Sequence, residues 1–175
     1  ARHLESKMAQ WSLLEQTLVR SAIAAARYDY TSALNEANQA VRADSTSLVA
    51  RMQRASILAR SVASSTLAPD EAKARLALAT ADLRQAESFS PQSAYVAYNQ
   101  GCLLAQQKLT TEALEAFTRA IRLDSRLAEA YYNRAMLYLH QDQRDKAVSD
   151  FSRAGQLGLY KAYAQLKAMQ EAKGK

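Results

Sequence analysis

The 175-residue sequence predicts an all-α fold built from repeated helix hairpins. With only 4 Gly and 2 Pro, the chain has too few turn-forming residues for a β-sandwich or β-barrel. Residues 97–124 and 131–158 also align at an offset of 34 residues. A period of this length is typical of solenoids, in which each hairpin buries its apolar face against a neighbouring hairpin.

The aligned segments share both small and large residues at fixed places in the repeat. A further copy lies at residues 25–44, where alanines stand at the matching places. Small residues allow the two helices of a hairpin to approach closely, and large residues fill the space between hairpins. The aligned pairs are Asn99/Asn133, Gln107/Gln141, Ala113/Ala147, Phe117/Phe151, Arg119/Arg153, Ala120/Ala154 and Leu123/Leu157.

This pattern resembles the tetratricopeptide repeat of bacterial proteins, whose 34 positions carry small and aromatic residues in this order. The resemblance implies a right-handed α-α superhelix of about four hairpins, closed by a carboxyl-terminal capping helix. The matching residues are Ala97, Gly101, Leu104, Ala113, Phe117 and Ala120 in one copy, and Tyr131, Ala135, Tyr138, Ala147, Phe151 and Ala154 in the next.

We predict a single domain over residues 1–175. Its repeats are expected at about 14–47, 48–93, 94–127 and 128–161, with a capping helix at about 159–173.

The second repeat contains an insertion near residues 61–75. Pro69, followed by Asp70 and Glu71, indicates a helix start, because Pro suits the first helical position and acids suit the first turn. We therefore expect a hairpin with longer arms and a loop at residues 64–68.

An apolar stripe at the amino end runs through Leu4, Met8, Trp11, Leu14 and Leu18. Either the first helix is unusually long, or the chain begins with the end of a preceding helix. The first residue is Ala rather than Met, which favours a processed or excised chain with a lean toward an exported protein. Because residues 158–163 resemble the closing helix of bacterial tetratricopeptide proteins, we expect the carboxyl-terminal part of a longer protein.

Catalysis is not predicted. Cys102 is the single cysteine, and the two histidines, His3 and His140, are far apart in the sequence. No metalloprotease, nucleophile-elbow or phosphate-loop motif occurs, and no run of about 18 apolar residues predicts a membrane span. We expect a non-enzymatic protein with no metal and no cofactor.

The resemblance implies that the first helices of the hairpins line a concave groove that holds a peptide or helix of a partner protein. Tyr and Asn at these places also help hairpins to pack, and that alternative stays open. The chaperone-binding clamp of some tetratricopeptide domains is not predicted, because its cations are missing. The expected groove residues are Met52, Gln53, Arg60, Tyr95, Tyr98, Asn99, Gln106, Tyr132, Asn133, Met136 and His140.

Two other kinds of function remain as alternatives. The chain could be a structural spacer, or could self-associate through the apolar residues of its amino end. With a formal charge of +6 and a cluster of Arg51, Arg54 and Arg60, it could instead bind acidic partners or nucleic acid. Arg20 and Arg134 occupy the repeat place of Arg54, however, which favours a scaffold role with the stem packed and the guanidinium in solvent.

Overall fold

The computed structural model describes residues 11–64 and 66–171, which form nine α-helices and contain no β-strand. Eight helices pair into four hairpins, and the ninth follows the last hairpin. The predicted all-α fold of four hairpins and a closing helix is thus present in this part of the chain. The helices are α1 (Leu13–Ala26), α2 (Tyr30–Ala43), α3 (Leu48–Ser64), α4 (Pro69–Phe89), α5 (Ala94–Gln106), α6 (Thr110–Leu123), α7 (Ala128–His140), α8 (Arg144–Gln156) and α9 (Lys161–Glu171).

The chain divides into two compact units, which we call the amino-terminal unit (residues 1–91) and the carboxyl-terminal unit (residues 92–175). The first contains α1 to α4 and the second contains α5 to α9. Within each unit, the second helix of one hairpin packs on the first helix of the next. Each unit therefore has the local packing of a helical repeat array. The predicted single-domain boundary stays a prediction.

The start of α1 is fixed by a capping box at Ser12 and Glu15. The Ser12 hydroxyl accepts from the Glu15 backbone N–H at 3.3 Å, and the Glu15 carboxylate accepts from the Ser12 backbone N–H at 2.8 Å. Such a cap satisfies the open amide groups of a helix end. The first helix therefore begins at Leu13 and is not the unusually long helix of the first alternative. Leu4 and Met8 lie outside the described residues.

The long second hairpin has the predicted form. Pro69 is at the first helical position of α4, and Asp70 and Glu71 are in its first turn. The two arms, α3 and α4, have 17 and 21 residues. At the other end of the chain, α9 ends at Glu171 within the described residues, against a predicted end near 173.

The carboxyl-terminal unit is packed around two buried rings. Phe117 and Phe151 are 1% and 0% exposed. A Cβ atom at Gly101 would lie 2.7 Å from the ring of Phe117, so only glycine allows this approach. The predicted role of Gly101 as a small residue between helices is confirmed.

Candidate functional site

The predicted groove residues all lie on the first helices of hairpins, but in two separate units. Eight of them lie on α5 and α7 of the carboxyl-terminal unit, where Tyr98 and Asn133 are in direct contact. The other three lie on α3 of the amino-terminal unit. The first group is Tyr95, Tyr98, Asn99, Gln106, Tyr132, Asn133, Met136 and His140; the second is Met52, Gln53 and Arg60.

The centre of the α5–α7 surface is a polar contact among three half-buried side chains. Asn133 Nδ2 donates to the Tyr98 Oη at 3.1 Å and to the Cys102 Sγ at 3.4 Å. Burial raises the pKa of both the Tyr98 hydroxyl and the Cys102 thiol, so both groups stay protonated near neutral pH. The contact joins neighbouring first helices, and the raised pKa keeps the Cys102 thiol in its less nucleophilic, protonated form near neutral pH.

Beside this contact, the α5–α7 surface is open. Tyr95 is 57% exposed, and its backbone carbonyl accepts from Asn99 Nδ2 at 2.8 Å. His140 is exposed at the last position of α7, and Gln106 is half-buried at the end of α5. These side chains offer an aromatic surface beside amide and imidazole groups.

Tyr132 and Met136 are half-buried on α7. Both pack against the buried cluster that contains Phe151 and Met169, and the rings of Tyr132 and Phe151 are 5.4 Å apart. The Nζ atom of Lys161 lies 4.1 Å from the centre of the Tyr132 ring, which is a cation–π geometry.

Lys161 is not among the predicted groove residues, because α9 is expected only to cap the last hairpin. A signal was available: Ala162 and Met169 lie 34 residues after Ala128 and Ala135, and all four are buried. The register of the first helices therefore continues into α9.

In the amino-terminal unit, the predicted groove residues bond back to α1. Gln53 Nε2 donates to the Leu18 carbonyl at 2.7 Å and to the Ser21 hydroxyl at 3.0 Å. Arg60 donates to the Ala25 carbonyl at 3.2 Å, and its guanidinium lies 5.8 Å from the centre of the Tyr30 ring. Met52 is half-buried on the same helix. Gln53 and Arg60 therefore help to pack α3 against α1.

The basic cluster of α3 is largely paired with a buried carboxylate that sequence reasoning missed. Asp82, 1% exposed, accepts from Arg54 at 2.6 Å through both of its oxygens and from Arg51 at 3.1 Å. Arg134 forms the same kind of two-bond pair with Asp150, at 2.7 and 2.9 Å. The predicted scaffold role is right for Arg54 and Arg134, but their guanidinium groups lie in ion pairs rather than in solvent. Asp82 and Asp150 are separated by two repeat periods, and this spacing could have identified both residues from the sequence.

Within residues 11–64 and 66–171, no three His, Cys, Asp or Glu side chains come together as a metal site. No helix in the same part of the chain is long and apolar enough to cross a bilayer.

Two protein-family models, both described as tetratricopeptide repeat, match residues 94–126 and 116–149. The matched residues lie on α5 to α8, which supply the aligned hairpins and the open surface. The chain contains tetratricopeptide repeats over residues 94–149. Proteins of this kind bind protein partners, so the repeats indicate a protein–protein interaction scaffold.

Curated relatives match this tetratricopeptide-repeat protein over a short region. Human neutrophil cytosol factor 2 is 42% identical over 59 residues, which are 34% of this chain and 11% of that protein. A DnaJ homolog subfamily C member 3 homolog from Dictyostelium discoideum is 42% identical over 53 residues, 30% of this chain and 10% of that protein. The matches therefore span about a tenth of the length of these relatives.

Solved structures resemble the tetratricopeptide-repeat protein over most of its length. A thermophilic tetratricopeptide protein from Thermus thermophilus has a TM-score of 0.83 at 17% identity, over 93% of this chain and 83% of that one. Pseudomonas aeruginosa pilF has a TM-score of 0.68 at 19% identity, over 90% and 72%. An O-GlcNAc transferase from Thermobaculum terrenum gives 0.60 at 14%, over 72% of this chain and 22% of the enzyme. At these identities the likeness shows the fold alone.

Proposed function

We propose that this tetratricopeptide-repeat protein is a non-enzymatic scaffold that binds a peptide or helix of a partner protein on its α5–α7 face. This face comprises Tyr95, Asn99 and Gln106 of α5 with Met136 and His140 of α7. A peptide would meet an aromatic ring, two amides, a thioether and an imidazole, which together suit mixed apolar and hydrogen-bonding contacts.

The observation that carries the proposal is the exposure of Tyr95. A tyrosine that is 57% exposed on a helix leaves much apolar area in water, and tyrosine is among the residues that dominate binding energy in interfaces. Its helix is also tied to α7 through the bond from Asn133 to Tyr98. This bond holds the face in one geometry before a partner arrives, which lowers the entropy lost on binding.

The equivalent face of the amino-terminal unit supports binding less well. The polar donors of Gln53 and Arg60 are used to hold α1, and α1 contributes small side chains such as Ala22 and Ala26. Small side chains bury little area and make weak anchors. We therefore place the partner on the carboxyl-terminal unit.

The test is affinity capture from a lysate of the source cells with the whole chain and with the variant Tyr95→Ser/His140→Ala. Both substituted residues are exposed, so the variant should fold normally and show the same helical melt. The matched control is Tyr160→Ser, which removes a tyrosine that is 78% exposed in the turn before α9. We expect the parent chain and the control to capture the same partner protein in equal amounts. The double variant should capture about tenfold less of it.

Equal retention by all three chains would contradict the proposal. Capture of the chain itself, with a mass above the monomer in sedimentation, would instead support the self-association alternative. A spacer would capture nothing that depends on these residues. Recovery of nucleic acid by all three chains would favour the basic-surface alternative, although the pairing of Arg51 and Arg54 with Asp82 speaks against it.

A further inference from the structure

Three exposed side chains of the carboxyl-terminal unit share one place in the repeat. Tyr95, Glu129 and Tyr163 follow one another at intervals of 34 residues, near the starts of α5, α7 and α9. Tyr95 is 57% exposed, Tyr163 is 47% exposed, and Glu129 is exposed as well. Because the register of the first helices continues into α9, these side chains form a row across the starts of three helices. We call it the Tyr95–Tyr163 row.

Exposure at this place is a property of the repeat. Four helices follow Tyr95 and two follow Glu129, and α7 packs on α6 as α9 packs on α8, yet both side chains stay open. Tyr163 has the same place on α9. Its ring is also held in position, because it packs so closely over Gly155 of α8 that a Cβ atom there would lie 2.6 Å from it. The row is thus formed before a partner arrives, which lowers the entropy lost on binding.

Two opposite charges lie along the row. Burial raises the pKa of the Tyr98 hydroxyl, and the charge of Glu129 raises it further, so this carboxylate is close to the junction of α5 and α7. The Lys161 ammonium group lies over the ring of Tyr132, at the junction of α7 and α9. Within residues 11–64 and 66–171, neither Glu129 nor Lys161 forms an ion pair. Both charges are therefore open to a ligand.

We propose that the Tyr95–Tyr163 row binds an extended segment of the partner protein that carries one basic and one acidic residue between two apolar anchors. The basic residue pairs with Glu129 and the acidic residue pairs with Lys161, while the anchors pack on the rings of Tyr95 and Tyr163. This inference rests on the proposed function, since Tyr95 belongs to both surfaces, and it extends the binding face onto α9.

The spacing of the row determines the spacing within the segment. Side-chain contacts join α5 to α7 and α7 to α9, and helices in such contact are about 10 Å apart, so the row is roughly 20 Å long. An extended chain rises about 3.3 Å per residue, and alternate side chains point to the same face. Anchors at the first and seventh positions therefore span the row, with the two charges at the third and fifth positions. Each helix start presents only one or two side chains, which suits an extended chain better than the broad apolar face of a helix.

The probe is the fluorescein-labelled peptide FSKSESF, titrated with the full chain and followed by fluorescence anisotropy. We expect saturable binding, which Glu129→Lys should weaken about tenfold because an attraction becomes a repulsion. The peptide FSESESF should bind Glu129→Lys as well as FSKSESF binds the parent chain. In the same way, Lys161→Glu should prefer FSKSKSF. A variant that simply failed to fold could not regain affinity for a peptide of changed charge.

Two charge reversals on second helices of the same unit are the matched controls. Glu112 is an exposed acid in the first turn of α6, as Glu129 is in the first turn of α7. Lys146 of α8 is exposed, and its Nζ atom lies 5.3 Å from the centre of the Tyr138 ring, a cation–π geometry like that of Lys161. Glu112→Lys and Lys146→Glu should both bind FSKSESF as the parent chain does.

The proposal would be overturned if FSKSESF showed no saturable binding to the parent chain, or if Glu129→Lys and Glu112→Lys weakened binding equally. Stronger binding of FSESESF to the parent chain than to Glu129→Lys would also overturn it. In the lysate capture, a partner retained by Glu129→Lys but lost from Tyr95→Ser/His140→Ala would reject the charged row and leave the proposed function standing.

Discussion

The two units fill the space between their helices in different ways. The carboxyl-terminal unit buries the rings of Phe117 and Phe151. The amino-terminal unit has Ala37 at the place of Phe117, and it buries the hydroxyl groups of Thr17, Ser21 and Ser61, all 0% exposed. One repeat register therefore supports an aromatic interior in one unit and a partly polar interior in the other.

The buried hydroxyl groups are all paired: that of Thr17 donates to the Leu13 and Leu14 carbonyls of its own helix, and those of Ser21 and Ser61 accept from neighbouring helices. Gln53 of α3 donates to Ser21 of α1, and Arg75 of α4 donates to Ser61 of α3 at 2.7 Å. Buried polar groups cost little when they are paired, and directed bonds can fix helix positions where side-chain volume is missing. We expect packing volume to dominate the stability of the carboxyl-terminal unit and polar pairing to dominate that of the amino-terminal unit.

The largest expected effect is that of Phe117→Ala. Removing a buried ring leaves a cavity between α5 and α6, and the free energy of unfolding should fall by about 3–5 kcal/mol. Guanidinium unfolding, followed by methyl NMR signals of each unit, measures this change. Signals of Val96 and Leu103 should report the loss, while those of Ile57 and Leu58 should change little.

The matched control is Phe89→Ala in the amino-terminal unit, where the ring is 44% exposed. Its cost should be smaller, about 1–2 kcal/mol, because nearly half of the ring is already in water. A Phe117→Ala chain as stable as this control would break the comparison, since the carboxyl-terminal unit would then not depend on its rings.

The helix starts and the close approach of paired helices could be predicted from the sequence, because each depends on one residue type at a fixed place in the repeat. Gly101 and Pro69 each have a function that follows from shape, and the structure places both as predicted. Phe117 is buried as predicted, but its ring contacts Gly101 and Tyr98 of its own hairpin, whereas the pattern predicts a place between hairpins. The polar contacts could not be predicted in the same way. A serine or arginine at a repeat place can face solvent, backbone or a carboxylate, and only the three-dimensional neighbours decide which.

The second prediction compares Asp82→Asn with Asp150→Asn. Asp82 binds two arginines and Asp150 binds one. The neutral amide would leave two poorly compensated cations in the amino-terminal unit and one in the carboxyl-terminal unit. We expect losses of about 3 and about 2 kcal/mol respectively, measured by the same unfolding experiment.

The control is Glu71→Gln, whose exposed carboxylate pairs with Arg75 at 2.7 Å. Exposed pairs contribute little, so this change should cost less than about 1 kcal/mol. An equal or larger loss for Asp150→Asn than for Asp82→Asn would show that polar pairing is no more important in the amino-terminal unit.

The candidate site shows the same limit of sequence reasoning. The repeat register puts Tyr95, Tyr98 and Asn133 on one surface of α5 and α7, but it does not distinguish exposed from bonded side chains. The structure makes this distinction: Tyr95 is open, whereas Tyr98 and Asn133 bind each other. Substituting all polar residues of the groove together would therefore have confused lost binding with lost packing.

The smallest expected effect is a pH dependence confined to the carboxyl-terminal unit. The pKa values of Tyr98 and Cys102 are raised in the folded protein because burial disfavours their anions. The unfolded chain therefore releases these protons first as the pH rises. The stability they contribute is complete below about pH 8.5, the ordinary pKa of a thiol, and is lost progressively above it. Unfolding at about pH 7 and at about pH 10, followed by the methyl signals of both units, measures this loss.

Cys102→Ala separates this effect from general alkaline destabilisation. The variant lacks the chain's single thiol, so its carboxyl-terminal unit should lose less stability between the two pH values than the parent does. The absolute stability of the variant at neutral pH does not matter here, because only the difference between two pH values is compared. An identical pH-dependent loss in parent and variant would show that the buried contact of Tyr98, Cys102 and Asn133 opens before these groups ionise. That contact would then not be the fixed link between α5 and α7 on which the geometry of the binding face depends.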